Sequence, residues 1–558
     1  MDLSAVAKRI RFFLPIHFIL FFLVANTYFA LSNVPLVAKI SRTPKDTVFP
    51  LYHSAYPYDY NVYLSVITLG NNGYWLNRDA FTSENTKPGI FYFYYILVGK
   101  VTGLFHIWQP VAYHIARILN VELYLIFSYF LISKFIAKPF FSVALLFSLF
   151  GSIPPPFIYN EPGALTSYIP WWMGLEALNR LDSLPHHILG QALLLLSVIL
   201  IFQYIKTRRP IFIILSCISL LIQGIVLPPS ILPVLLGLPL AGVLWIIRKL
   251  AGHTSVKSII KMFCPDIRAH KIPRFLLGLG LILIAAGIPL LISKWQTQQG
   301  YPWPIWITWE IAKWNKEPNF ARDFCLSFGL LSLIALPAAI RSIMKGRFKD
   351  YFITVWAILP LIILPFADIL QIGKIRVITC TPIIPLSILA AKTIKDANRS
   401  KLLQTAMIVL ILITSVPVSL DLLYKNIVSI RKEAFYTNIY IPTRVWSTVK
   451  FIQNTLPKDA VILSNESVGN IIPAYAPVIS YLGHVNQTLD YPGKTDNAWL
   501  FYNRKWSEEK AYDFIRSNRI SYVYYGPDER YGESGDLPYL FLKPLFQSGD
   551  VTLYRVQK

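Results

Sequence analysis

Over most of its length the chain alternates long apolar runs with short polar connections, and then the pattern changes. Eleven mainly apolar runs are readable: 12–31, 113–133, 139–154, 187–205, 211–227, 229–247, 275–293, 324–341, 351–368, 375–391 and 402–420. A helix that crosses a bilayer needs roughly 20 such residues. A further run, 89–108, is interrupted by Lys100 and His106 and is rich in Phe and Tyr. That composition predicts an aromatic helix lying at the membrane interface. Beyond residue 442 the spacing shortens. Arg444–Leu456 has helical periodicity and stops before Pro457. Ala460–Ser464, Val478–Leu482, Ile520–Tyr525 and Val551–Val556 read as strands, and Ser507 followed by Glu508 and Glu509 opens a helix to about Arg519.

Composition sharpens this picture. Of 558 residues, 54% are apolar and 15% charged, against about 45–50% and about 25% in soluble domains. With a mean hydropathy of +0.47, an all-soluble or disordered chain is excluded. Four cysteines exclude a disulfide scaffold. The net charge of +23 lies almost wholly before residue 421, where it is +21, against +2 after it. The excess sits between apolar runs, as in cytoplasmic loops, and not on a polar domain as in a nucleic-acid binder. No nucleic-acid partner is therefore expected.

Charge also sets an orientation. Lys8, Arg9 and Arg11 precede the first run and place the N-terminus in the cytoplasm; the run reads as a retained helix, not a signal peptide. Every second connection is then basic, among them Lys134/Lys138, Lys206/Arg208/Arg209 and Lys392/Lys395/Arg399/Lys401. The expected fold is a polytopic α-helical membrane protein of about eleven transmembrane helices with a small C-terminal extracytoplasmic α/β domain. Residues 1–420 form the membrane domain, with external loops 32–112, 155–186 and 294–323, and 421–558 form the external domain.

The external loops carry the candidate chemistry. The first contains Tyr58-Asp59-Tyr60, Tyr63, Gly70 and Gly73, then Glu84, Lys87 and Pro88. A helix beginning near Asp59 sets Tyr63, Val66, Ile67 and Gly70 on the acid's side. From residue types alone Asp59 is either a helix cap or a general base facing a hydroxyl acceptor.

This arrangement resembles the first external loop of the GT-C superfamily of integral-membrane glycosyltransferases, with its mannosyltransferase- and arabinosyltransferase-like members. There an acid follows the first span, a Tyr and a Gly-containing turn come next, and a Lys/Pro stretch opens an interfacial helix. The matching positions are Asp59, Tyr63, Gly70/Gly73 and Lys87-Pro88. The topology agrees over about residues 1–420, and the motif over about 53–106. The resemblance implies a polyprenyl-phosphate sugar donor and a lipid, glycan or protein acceptor. It also implies an inverting transfer with Asp59 as the base, and so favours that role over the cap.

Such a reaction needs donors for the departing lipid phosphate. External candidates are Lys374 and Arg376, in Gln371-Ile-Gly-Lys-Ile-Arg376, and Arg117. Arg376 reads equally as a phosphate ligand or a snorkelling anchor. Tyr63, Glu84 and Lys87 are further substrate-binding candidates. In the second loop, Glu161 and the pair His186/His187 offer sugar, phosphate or divalent-metal contacts, with Glu176 and Asp182 nearby. Adjacent helical histidines diverge by about 100° and make poor joint ligands. Some superfamily members use a metal and others do not, so a divalent cofactor stays open. Trp295, Trp303, Trp306, Trp309 and Trp314 read as interfacial anchors or as faces for a prenyl tail or sugar. Gly483-His484 and Asn465-Glu466 read as loop residues or acceptor contacts. The competing function is a lipid-sugar transporter or flippase, or a glycan polymerase or ligase. A transporter would place ionisable groups deep in its spans, where only Glu122 and Asp368 stand out.

Overall fold

A computed structural model describes residues 16–52, 57–137, 139–151, 177–251, 271–316, 325, 328–397, 400–432, 439–530 and 535–557. The chain divides into two compact units: Met1–Val34 with Ile118–Ser293 and Glu310–Val428, and Pro35–Arg117 with Lys294–Trp309 and Ser429–Lys558.

The first unit is helical. Among the described residues, seven stretches are long and apolar enough to cross a membrane: Ile16–Ser41, Gln109–Phe135, Pro185–Thr207, Pro228–Arg248, Leu276–Thr297, Phe348–Phe366 and Lys401–Ile430. The other four expected runs fall on shorter helices, Phe140–Phe150, Ile211–Val226, Gly329–Lys345 and Ile383–Asp396. The run at 375–391 is not one continuous α-helix. A 3₁₀ segment, Lys374–Cys380, precedes Ile383–Asp396. Thr381 between them has φ +52° and is followed by Pro382, which breaks the ladder. Leu277, Ile284, Leu291, Leu402 and Ile413 are each more than half exposed. Faces of this kind cost free energy in water and none in lipid; the protein is integral to a membrane.

Inside this unit, helices meet through small and polar residues. Ser197 Oγ lies 2.9 Å from Ser219 Oγ and 3.2 Å from Gln223 Oε1, and Gln223 Nε2 donates to the Ser230 carbonyl at 2.8 Å. These buried groups are neutral and satisfy one another, as polar residues between spanning helices do. Buried Arg180 donates to the carbonyls of Ser148 and Leu149.

The second unit combines the first loop, a Trp-containing helix and the C-terminal segment. Its aromatic helix is Phe93–Gly103, eleven residues long. At 1.5 Å per residue that is about 16 Å, too short for a hydrocarbon core of about 30 Å. It crosses the helix Pro57–Asn71 at Gly70 and Gly99. A Cβ on Gly70 would stand 2.3 Å from the Ile96 carbonyl oxygen, and one on Gly99 2.1 Å from that of Ile67. Only glycine permits this approach.

The C-terminal segment builds a five-stranded mixed sheet. In order it runs Ile479–Ser480, Val461–Leu463, Ile520–Tyr525, Val551–Val556, Leu542–Ser548. The first three strands are parallel and the last two pairings antiparallel, with Ile462 opposite Ser480 and Tyr522, and Val523 opposite Tyr554. The expected helices appear as Thr443–Thr455 and Glu508–Ser517, and Ser507 Oγ caps the latter by accepting from Lys510 N–H. Among the described residues, three helices and one strand of the sheet lie outside the expected elements: Glu466–Tyr475, Tyr491–Tyr502, the single turn Pro527–Arg530, and Leu542–Ser548. Pro473 and Pro492 mask helical periodicity, and Pro544 masks the strand. A short antiparallel pairing, Thr47 with Pro442 and Val48 with Ile441, ties the first loop to the entry of this segment.

Candidate active site

Asp59 lies in the first turn of Pro57–Asn71, two residues inside its start. It is therefore not the capping residue, although a carboxylate there is favoured by the helix dipole. Its Oδ1 is 3.1 Å from Nε2 of His484. The His484 side chain is 3% exposed and that of Asp59 50%. The two residues are 425 positions apart.

Packing between two helices creates this meeting. Glu466–Tyr475 lies against Pro57–Asn71: Asn61 Nδ2 donates to Asn470 Oδ1 at 2.8 Å, Asn470 Nδ2 to the Tyr58 carbonyl at 3.3 Å, and Thr68 Oγ1 to the Ala474 carbonyl at 2.6 Å. Asn465 caps the second helix by accepting from Val468 N–H. Gly469 and Gly483 then bring the His484 loop against it. A Cβ on Gly469 would sit 1.9 Å from the Leu482 carbonyl oxygen, and one on Gly483 2.6 Å from that of Gly469. Thr488 Oγ1 accepts from the N–H groups of Gly483 and His484 and donates to the Phe81 carbonyl. Tyr491 donates to the Glu466 carboxylate nearby.

A second cluster surrounds Glu84. Its Oε2 is 2.7 Å from Lys494 Nζ and accepts from Thr82 Oγ1. Lys494, buried to 5% side-chain exposure, also donates to Ser83 Oγ and the Tyr481 carbonyl. Burial works to raise the Glu84 carboxyl; the Lys494 ammonium and Thr82 hydroxyl outweigh it and hold it below its usual value. Asp79 is different. Burial pushes its carboxyl up to about 8, against the opposing Phe81 N–H and Lys494 charge. Its Oδ1 accepts from Phe81 N–H at 2.9 Å.

The other candidates separate. Tyr63 is buried in an aromatic stack, 5.0 Å from Tyr95 and 5.2 Å from Tyr92 between ring centroids. Lys87 is on the surface, 3.3 Å from Gln299 Oε1. Arg117 is buried in Gln109–Phe135. In the helical unit, Arg376 forms a two-point pair with Glu310, with Nε to Oε2 at 2.9 Å, and its Nη1 donates to His187 Nε2 at 3.0 Å. Lys374 donates through Nζ to the Asn315 carbonyl at 2.6 Å. His186 and His187 are buried at the start of Pro185–Thr207, their rings 4.4 Å apart and inclined at 73°. Glu161 and Glu176 lie outside the described residues. Among the described residues no three His, Cys, Asp or Glu side chains stand together as a metal-ligating group. Trp295 and Trp309 are exposed, but Trp303 is 1% exposed and donates to the Lys87 carbonyl. It is a core residue, not an anchor; the Trp306 side chain lies outside the description.

Sequence reasoning named His484 without its partner and did not single out Lys494 or Asn470. Nothing local marks these residues, because their partners lie hundreds of positions away.

No protein-family model and no curated protein matches the chain. Similar solved structures include the Archaeoglobus fulgidus oligosaccharyltransferase in the apo form, at 13% identity and TM-score 0.47, over 89% of this chain and 69% of that one. Another is the A. fulgidus oligosaccharyltransferase AglB with an inhibitory peptide and a dolichol-phosphate, at 12% identity and TM-score 0.43, over 89% and 69%. A third is ArnT from Cupriavidus metallidurans bound to undecaprenyl phosphate, at 11% identity and TM-score 0.48, over 96% and 97%. The reading of the chemistry rests on the side-chain geometry above.

Proposed function

We propose that this chain is a membrane glycosyltransferase that moves a sugar from a polyprenyl-phosphate carrier to an acceptor at the external membrane face. Asp59 carries the reading. It is a half-exposed carboxylate at a helix start, held through one oxygen by a buried imidazole. An anchored, accessible carboxylate is suited to general-base work.

In this reading Asp59 takes the proton of an acceptor hydroxyl. The oxygen attacks the anomeric carbon and the bond from that carbon to the phosphate oxygen breaks. The phosphate leaves with the electron pair, and the anomeric configuration inverts. Lys374 and Arg376 are the cations proposed for the donor phosphate. Arg376 is already paired with Glu310 and His187, so phosphate binding there displaces a carboxylate. The donor class and the external orientation, with a cytoplasmic N-terminus and an extracytoplasmic 421–558, follow from the first-loop resemblance and the charge pattern.

The test is sugar transfer by membranes containing the intact chain or Asp59→Asn at matched expression. The donors are decaprenyl- and undecaprenyl-phosphate hexoses and pentoses. Turnover that collapses in the variant supports the reading and identifies the sugar. Equal turnover removes Asp59 as the base.

A further inference from the structure

The hydrogen bonds around His484 fix which of its nitrogens carries a hydrogen. The Asn486 backbone N–H points at Nδ1, 3.2 Å away. A donor aimed at Nδ1 requires that nitrogen to be the bare, accepting one. In the neutral ring the hydrogen is then on Nε2, which faces Asp59 Oδ1 at 3.1 Å. The loop holding the ring is itself restrained. Thr488 bonds both N–H groups of Gly483-His484, and the Gln487 and Thr488 N–H groups return to the His484 carbonyl. The ring is buried and flanked by Phe81, with centroids 6.1 Å apart, and by Tyr58 at 6.5 Å.

We infer that His484 is a positioning residue for the first-loop acid: its Nε2–H holds Oδ1 of Asp59 and leaves the other carboxylate oxygen to meet the acceptor hydroxyl. This rests on the reading of Asp59 as base. It also gives the C-terminal segment a role, since that segment supplies one of the groups that orient the reacting carboxylate. Orientation of this kind is costly to lose, because a displacement of about 1 Å can cost about 100-fold in rate.

Two substitutions separate positioning from loop structure. In His484→Gln the side-chain amide N–H₂ reaches toward the place of Nε2 and restores the donor to Asp59, but nothing replaces Nδ1. In His484→Asn the amide oxygen stands near the place of Nδ1 and keeps the Asn486 bond, but nothing reaches Asp59. With the donor panel above and a membrane lipid extract as acceptor, His484→Gln should keep kcat within about three-fold. His484→Asn should lose about ten-fold or more in kcat with the donor KM little changed. The opposite ranking would show a loop role only and overturn the inference. An inactive Asp59→Asn beside a fully active His484→Asn would leave the base standing and remove His484. A fully active Asp59→Asn would remove both.

A second readout is independent of turnover. In ¹⁵N-histidine spectra of the full-length protein in nanodiscs, the His484 signal is assigned by its loss in His484→Gln. It should show the neutral Nε2–H tautomer and shift in Asp59→Asn. An Nδ1–H tautomer, or a signal unmoved in Asp59→Asn, overturns the inference.

Discussion

Replacing Gly469 by alanine tests how tightly the His484 loop is seated on the helix Glu466–Tyr475. The new Cβ would lie 1.9 Å from the Leu482 carbonyl oxygen and 2.9 Å from Ser464 Oγ. A comfortable carbon–oxygen contact is about 3.3 Å, so backbone must yield by about 1.4 Å. If residues 482–484 absorb this movement along the line to Asp59, the 3.1 Å bond opens to about 4.5 Å, beyond hydrogen-bond range. Helix propensity works the other way, favouring alanine by up to about 1 kcal/mol. Overpacking a close contact costs about 1–3 kcal/mol. The clash wins, and Gly469→Ala should lose about 1–2 kcal/mol. Gly287 is the control: it lies in the spanning helix Lys271–Thr297 with nothing within 4 Å of an added Cβ, so Gly287→Ala should be neutral or stabilising. Thermal unfolding of the full chain by tryptophan fluorescence reads stability, and the His484 ¹⁵N signal reads the loop. A Gly469→Ala protein that melts with the wild type and keeps an unshifted His484 signal would refute the reasoning.

Two further outcomes follow from the second cluster. Lys494→Met should cost about 2 kcal/mol in the same melt, because it leaves Glu84 without its ammonium partner. A fully buried pair would lose about 3–5 kcal/mol, but Glu84 retains 37% side-chain exposure, and solvent offsets part of the loss; an unchanged melt would count against the pair. Asp79→Asn should change the pH dependence of stability. The Asp79 carboxyl is raised from 3.8 to about 8, so between those values the folded state holds a proton that the unfolded chain releases. That contribution is fully present below the unfolded pKa and is lost as pH rises toward about 8, by up to about 1.4 kcal/mol per pH unit. Asn keeps the Oδ1 acceptor for Phe81 N–H without titrating. The variant should therefore gain on the wild type from pH 5 to pH 8, and a constant or shrinking difference would contradict the buried state of Asp79.

Much of the architecture follows from local patterning. The run at 187–205 became the helix Pro185–Thr207, and that at 402–420 lies within Lys401–Lys432. Ser507 capped its helix as its residue type required, and the strands at 520–525 and 551–556 kept their limits. These are properties of neighbours in sequence: apolar length, turn chemistry and one side chain's reach to a nearby N–H. The same logic fails at Thr381-Pro382, where a left-handed residue before the helix divides an apolar run that composition alone presents as continuous.

The chemistry divides in the same way. The sequence alone determined that this is a membrane chain, that its polar candidates gather in a few loops, and that Asp59 stands at a helix start. Folding alone decided their company. Asp59 acquired His484, Glu84 acquired Lys494, Arg376 acquired Glu310 and His187, and Tyr63 and Trp303 went into packing. The physical reason is range. Periodicity and capping act over a few residues, whereas a hydrogen bond between positions 59 and 484 exists only once the helix Glu466–Tyr475 packs on Pro57–Asn71 and Gly469 and Gly483 let the His484 loop lie against it.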